Sequence, residues 1–583
     1  MFLSGNQKKF IKKNVNKKSL KEISRALNLP ESEIIKYLEE RWSKEKIAKY
    51  ANNPSIEEQS KKNDNFPPDI SIQKVKSFLS HNWLYFLYLG LLVFTIYANS
   101  FLNGFVSDDI ALIVKNNESK NFSYVTDRLV YFVQPLVFFL IQNLWGGTNP
   151  FFFRLPNYLS HYINTILIFI LISIFKNRRS AFITAALFAV HPILVETVVW
   201  ITADIYCWMT TFYLISFLLY LFKDKNRYFY YLSLFFFVLT VTNVRAMALA
   251  FSFPLYEFCF GNLKKNWKLS IPYIIIFIAC ILQQIGPLFV RIKTLGMNRG
   301  GPSQAFINPL LLIPVSTATY LSLIFWPKDL SFYQSEFSLS LIKAISLYCI
   351  FFVYLGTLLI SFRKNKYVFF WLSIFILSLL PYFTPLKIAW IVAERYIYLG
   401  TIGIIAVTVA FFDKIFSGKN LKILYYFIVG IIIILLSVRT ITRNIDWQDE
   451  DHLWIATAKT APSDPKTHNN MGDYYSKRND LENSVKEFTM ATKLDPAYAE
   501  AYHNLAVTYT KMGKIDDAIS NYQKAIKLNP RLIETNQNLS AIYFNQKNYT
   551  KSYYYAEKSL ELDPQNPQLK ENIQIVKKYL NSQ

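Results

Sequence analysis

The amino-acid sequence predicts an all-α protein: a multispanning helical membrane domain, then a soluble helical solenoid, with a small basic helical segment in front. Three observations carry this. The 583 residues are 52% hydrophobic but only 18% charged, a balance outside the range of soluble globular chains. Apolar runs long enough to cross a hydrocarbon core of roughly 30 Å recur from Asn82 to Arg439. From Asp446 the composition turns polar and a strict repeat begins. The expected domains are therefore 1–80, 81–445 and 446–583.

Residues 1–80 carry 17 Lys+Arg against 10 Asp+Glu. Within them, "SLKEISRALNLPESEIIKYLEERW" holds two short helical patterns split at Leu29-Pro30-Glu31, and Pro30 with its following acids suits a helix start. The pattern is similar to a helix-turn-helix, but any small helical hairpin produces it, and we expect a cytoplasmic structural cap. The net charge of +23 is that of a multispanning protein with basic cytoplasmic loops, and nucleic-acid binding is not expected. The first 20 residues hold six lysines with no apolar h-region after them, so the first span is expected to be an uncleaved anchor. The four cysteines lie in or beside apolar runs and read as small core hydrophobes.

Spans are predicted at roughly 82–101, 154–175, 180–200, 205–222, 228–243, 246–260, 270–290, 308–326, 342–361, 367–384, 392–412 and 421–439. The basic clusters 176–179, 223–227, 264–268, 363–366 and 414–422 should face the cytoplasm. That assignment requires 128–145, with Gln134 and Pro135 in its middle, to be an interfacial helix. Parity is open at 291–340: either 308–326 is re-entrant, which leaves the C-terminus outside the cytoplasm, or a short helix is added there.

The repeat is specific. Pro496, Pro530 and Pro564 close "KLDP", "KLNP" and "ELDP" at 34-residue spacing. In phase with them run Met471, Leu505 and Leu539; Gly472, Ala506 and Ser540; and Tyr475, Tyr509 and Tyr543. Small residues where helices touch, an aromatic plug and a closing proline at this period define tetratricopeptide (TPR) repeats. Stacked, they form a curved groove suited to a peptide. Asn470, Asn504 and Asn538 share one repeat position and are candidate acceptor-binding residues, helix-turn hydrogen bonding being the alternative.

Polar residues in or beside spans are costly and so are functional candidates. Asp108 and Asp109 follow the first span; Arg154, Asn157 and His161 open the next. His191, Glu196 and Asp204 fall within "HPILVETVVWITAD", and Glu394 and Arg395 within "IVAERYIYLG". By the topology above, all gather on one side of the membrane. Acids able to take a proton, beside arginines able to hold a phosphate, suit transfer from a phosphate-linked donor.

The order D-D, N-x-x-x-H, H-P-x-x-x-E, A-E-R-Y-x-Y-L and then TPRs resembles the transmembrane-and-TPR O-mannosyltransferases and their bacterial relatives, within the GT-C superfamily of polytopic glycosyltransferases. The resemblance covers about 85–564. It implies a polyprenyl-phosphate sugar as donor, no further cofactor, and inverting transfer in one displacement. It also implies that Asp108 or Asp109 deprotonates an acceptor hydroxyl, and that Arg395, with Arg291, holds the lipid phosphate. The acidic pair lacks the spacing a hard divalent ion favours, so we expect metal-independent transfer. Three positions depart from the relatives. Gln134-Pro135-Leu136 stands where they show R-P-L, a basic residue shortly before Asp204 is missing, and Val244-Arg245 replaces a Lys-Glu pair. The alternative is a non-catalytic membrane scaffold that binds partners through its TPRs. A transporter should show repeated halves with broken helices, and no such symmetry is visible. The abundance of Asn, Lys, Ile and Phe points to a bacterial inner membrane.

Overall fold

The computed structural model describes residues 5–14, 20–39, 72–128, 131–145, 147, 149–298, 308–332, 340–383, 392–416 and 418–582. The chain divides into two units, Met1–Phe78 and Leu79–Gln583. In the first, helices α1 (Gly5–Asn14), α2 (Leu20–Leu27) and α3 (Glu31–Glu39) enclose a core of Ile11, Leu20, Ile23, Ile34, Tyr37 and Leu38. Asn28, in the left-handed region at φ 52°, makes the turn between α2 and α3.

The second unit is built on helices that run between two ends. Helix α4 (Ile72–Tyr97) finishes at what we call the near end, and a loop then carries the chain to α5 (Val133–Trp145). At about 1.5 Å per residue α5 is too short to cross a bilayer. Helix α6 (Pro150–Phe175), begun by the Asn149 cap and Pro150, runs away; α7 (Arg178–Val190) returns. The predicted span at 180–200 is broken: α7 meets the next turns, 192–199, at 54°. Pro192 has no N–H to continue the helix and forces His191 out of the helical region.

Helix α8 (Asp204–Leu221) leads away and α9 (Arg227–Val241) back. The predicted span 246–260 is a 3-10 stretch, Val244–Phe251, followed by α10 (Ser252–Cys259). Arg245 bonds Tyr206 near the start of α8, while Glu257 pairs with Lys223 just past its end. The segment therefore runs the length of α8, its more extended 3-10 half (about 2.0 Å rise per residue) covering the distance. Helix α11 (Leu263–Asn298) returns to the near end, where Gln284 meets Tyr131 of α5's leading turn.

Helix α12 (Pro309–Phe325) follows, and its last turn accepts a hydrogen bond from His191 at the near end. Helices α13 (Leu341–Lys364) and α14 (Lys366–Leu379) form an antiparallel pair joined by Asn365. Since α14 finishes at Tyr382, stacked on Tyr396, α13 begins at the near end. The chain thus leaves α11 and enters α13 at the same end, so α12 makes no net crossing. The predicted span 392–412 starts as extended chain and a 3-10 turn, Glu394–Ile397, before α15 (Gly400–Ile415). Helix α16 (Lys419–Ile445) returns to the near end, where Asn444 bonds the Ile96 carbonyl. Among the described residues six helices are long and apolar enough to cross a membrane, and the bent pair makes a seventh. The protein is a multi-pass membrane protein.

Beyond α16, helix α17 (Glu450–Thr460) leads into antiparallel pairs: α18 (Pro465–Lys477) with α19 (Leu481–Leu494), α20 (Ala499–Lys511) with α21 (Ile515–Leu528), and α22 (Ile533–Asn545) with α23 (Tyr549–Leu562). Helix α24 (Pro567–Leu580) closes the array. The 34-residue phase is physical. Gly472 leaves room for Phe488, Ala506 packs in one core with Ala518 and Tyr522, and Ser540 bonds the Ser552 carbonyl. Asn479, Gly513 and Lys547 end the first helix of successive repeats in the left-handed region.

Helices α14 and α15 approach closely because α15 presents glycines. A Cβ at Gly403 would overlap the Trp371 carbonyl oxygen, whereas Gly430 of α16 faces open space. We expect Gly403→Ala to lower stability by about 1–3 kcal/mol, as overpacking does, and Gly430→Ala to change it little. Thermal unfolding of the detergent-solubilised protein measures both.

Candidate active site

The loop after α4 turns sharply at Ser107, whose φ of 54° is costly for a side chain with a Cβ. The strain throws the next two carboxylates to opposite faces of a π-helical turn, Ile110–Val114. Asp109 is fully buried, as is Ile113 four residues on. Its Oδ1 accepts the Thr202 N–H at 3.0 Å and its Oδ2 the Val106 N–H at 3.3 Å. Asp108 is exposed, and Leu112, four residues on, lines a cleft.

That cleft, of about 740 Å³, lies between α5, α8, the 3-10 stretch, α11 and the Tyr382–Tyr396 stack. Its walls are largely apolar, with Trp208, Phe212 and Leu288 among them, and two arginines line it. Arg128 lies 4.1 Å over the Tyr124 ring, and Arg245 donates to the Tyr206 hydroxyl at 2.8 Å while staying exposed. Three further lining groups, Trp208 Nε1, Asn243 Nδ2 and the Tyr382 hydroxyl, are buried without a hydrogen-bond partner. Buried donors in that state call for a ligand. The arrangement can hold an anionic oxygen between cations while apolar walls take a hydrocarbon chain.

Most of the predicted substrate-binding residues serve the walls instead. Arg154 donates to the carbonyls of Val199, Asn103 and Gly104, each at 2.7 Å, and is fully buried. Asn157 bonds the Trp200 carbonyl at 3.0 Å, His161 sits between the Tyr398 hydroxyl and the Ala189 carbonyl, and His191 meets the Ile324 carbonyl. Glu196 forms a buried ion pair with Arg395, so that guanidinium is held below the cleft wall and is not presented to a phosphate. Glu394 pairs with Arg443 at 3.1 Å, and Arg443 also with Asp446 at 2.9 Å. Asp204 bonds Gln134, a cleft residue, at 2.5 Å. The Arg291 side chain lies outside the described residues. Arg128, Asn243 and Trp208 were not singled out by the sequence, and Arg245 appeared there only as a departure. Their signal is spatial, since three separate segments bring them together.

In the solenoid, Asn504 donates to Asn469 in the preceding repeat and Asn538 to the Tyr522 hydroxyl. Asn470, in phase with them, is half-buried. Asn504 and Asn538 thus brace packing between and within repeats.

Burial pushes the Asp109 carboxyl up to about 7, against the opposing pull of Arg154 and the Val106 and Thr202 N–H groups. The folded protein therefore holds this proton more tightly than the unfolded chain, whose value is near 3.8. Its contribution to stability is full below that value and is lost as the pH rises through about 7. Asp109→Asn has no proton to release. Relative to wild type the variant should gain stability in thermal unfolding as the pH rises from about 4 to about 7, and no further above it. A difference independent of pH would show that the carboxyl ionises as an exposed one does.

A family model described as dolichyl-phosphate-mannose-protein mannosyltransferase matches residues 131–285, the stretch that supplies Gln134, Trp208, Arg245 and Gln284 to the cleft. Tetratricopeptide models match 472–513, 499–532 and 533–566. The protein O-mannosyl-transferase TMTC3 of Mus musculus is 24% identical over 69% of this chain and 50% of its own. TMTC4 of Homo sapiens is 24% identical over 66% of this chain and 63% of its own, and TMTC1 of Homo sapiens 30% identical over 21% and 16%. The chain spans about half the length of the TMTC3 relatives it matches. The mannosyltransferase match falls on the cleft itself and the tetratricopeptide matches follow it, so the chain is similar in this order of parts to the TMTC protein O-mannosyl-transferases.

Proposed function

We propose that this chain is a membrane glycosyltransferase. It moves a sugar, mannose by the names of its relatives, from a polyprenyl phosphate to the hydroxyl of a Ser or Thr in an acceptor protein. One observation carries the reading: a cleft with apolar walls, two arginines and orphaned donors, with the exposed carboxylate Asp108 four residues before Leu112 of its wall. Arg245, with Asn243 and Arg128, holds the phosphate, and the polyprenyl chain lies along Phe212 and Leu288. Asp108 takes the proton of the acceptor hydroxyl as its oxygen bonds to the anomeric carbon. The bond from that carbon to the phosphate oxygen breaks, and polyprenyl phosphate leaves with inversion. Asp109 is a positioning residue that fixes the strained loop through Thr202.

The basic clusters at 176–179, 223–227, 264–268, 363–366 and 414–422 lie at the end opposite the cleft. By the positive-inside rule that end faces the cytoplasm, which puts cleft and solenoid outside it. The solenoid then recruits acceptor protein over the cleft, in a bacterial inner membrane.

Positioned proton transfer contributes about 10² to 10⁴ in rate. Asp108→Asn should lose that factor in transfer to an acceptor peptide while binding of a short polyprenyl-phosphate mannose persists. Full activity in the folded variant would remove Asp108 from the chemistry. For the topology, a reporter fused after Gln583 should be active only outside the cytoplasm, and activity inside would separate the solenoid from its acceptor.

A further inference from the structure

We propose that Asp204, Trp208 and Gln134 form the subsite that reads the hydroxyls of the donor's sugar and so decide which sugar the cleft accepts. This rests on the glycosyltransferase reading above. Asp204, Trp208 and Phe212 fall at i, i+4 and i+8 on one face of α8. The rings of Trp208 and Phe212 stack at 6.0 Å and line the cleft, giving a flat aromatic wall for the C–H face of a pyranose.

The polar groups beside this wall are left open. Trp208 Nε1 and Asp204 Oδ2 are both buried without a hydrogen-bond partner. Gln134 faces them from α5, donating through Nε2 to the Thr202 carbonyl at 3.0 Å and to Asp204 Oδ1 at 2.5 Å. Both acceptors require the amide nitrogen at that position, so the planar group turns its Oε1 the other way. The subsite therefore offers an indole donor from Trp208 and an amide acceptor from Gln134 on the cleft lining, with the Asp204 carboxyl bonded to Gln134 behind them.

This mixture selects the ligand class. A sugar hydroxyl donates and accepts at once and can satisfy both lining groups. A phosphate can only accept, so it finds no donor in Gln134 Oε1 and its match instead at Arg245 and Arg128. A purely apolar ligand would leave each polar atom desolvated and unpaired, at a cost of roughly 1–3 kcal/mol apiece. The indole-and-amide wall and the basic wall thus divide the donor between them, sugar on one and phosphate on the other. Asp204 also lies two residues from Thr202, where the Asp109 loop docks, so the sugar would sit beside that loop.

The test uses the full chain in detergent and two probes, a short-chain isoprenyl phosphate and the same lipid carrying mannose on its phosphate. Wild type should bind the mannosyl lipid more tightly than the bare phosphate. Trp208→Phe and Gln134→Leu should each weaken the mannosyl lipid by about tenfold, the loss of one hydrogen bond to a buried group, and leave the bare phosphate unchanged. Asp204→Asn, which keeps the volume, should do the same; should it fail to fold, the other two variants decide. Variants that keep the full preference for the mannosyl lipid overturn the subsite while phosphate binding upholds the glycosyltransferase reading. A wild type that binds neither probe overturns both.

Discussion

The structure depends on what Arg154 does with its charge. A guanidinium buried among apolar helices is tolerated only when its N–H groups are all met, and it cannot lose its proton to escape the cost. The carbonyls that meet it come from two places distant in sequence, Asn103 and Gly104 in the loop after α4, and Val199 in the turn before α8. One side chain on α6 therefore pins the loop that carries the acidic pair to the turn that carries Thr202 and Asp204. Asp109 completes the arrangement, bringing a carboxylate close to Arg154 and bonding the same turn. Substrate binding was a natural expectation for Arg154, but its work is upstream of binding. It fixes where Asp108 can point.

A second buried chain of charge ties the solenoid to this centre. Glu196 pairs with Arg395, the adjacent Glu394 pairs with Arg443, and Arg443 reaches Asp446 at the start of the soluble part. Trp447 then stacks at 5.8 Å on Trp200 of the same turn, and the Gly104 N–H donates to the Gln448 carbonyl at 2.7 Å. Breaking any buried pair strands the remaining charge, so these contacts resist separation even where the pairs add little net stability. The consequence is positional. The segment that leads into the repeat array, 446–448, is held against the strained loop.

Legibility in the sequence followed periodicity. The repeats could be read residue by residue because Gly472, Ala506 and Ser540 meet a small contact at a fixed interval, and the structure keeps every one. The long apolar helices were equally plain. What failed was hydropathy at 246–260 and 392–412, where apolar composition hid 3-10 and extended backbone; nothing in residue polarity distinguishes these from α-helix. At the site, the sequence singled out polar residues that the fold buries, without showing their partners. Polar residues near spans are functional or structural with equal force, because a buried carbonyl needs a donor as much as a substrate does. Arg128, Trp208 and Arg245 stood alone in sequence and acquire meaning only from one another.

That convergence bears on the three departures from the relatives. Read along the chain, Gln134, the turn before Asp204 and Val244-Arg245 look like independent losses in a decaying enzyme. In space Gln134, Val244 and Arg245 line one cleft, and the turn before Asp204 is bonded to it through Gln134. Gln134 and Arg245, both departures from the pattern the resemblance implies, line the same cleft as Arg128. The amide left at position 134 bonds both Asp204 and the Thr202 carbonyl, contacts a random substitution would have no reason to make. A decaying site loses satisfied hydrogen bonds and fills its cavity. This one keeps an open volume, two cations and a set of buried donors awaiting a ligand. The pattern is that of a cleft whose charge has been redistributed while its open volume is kept.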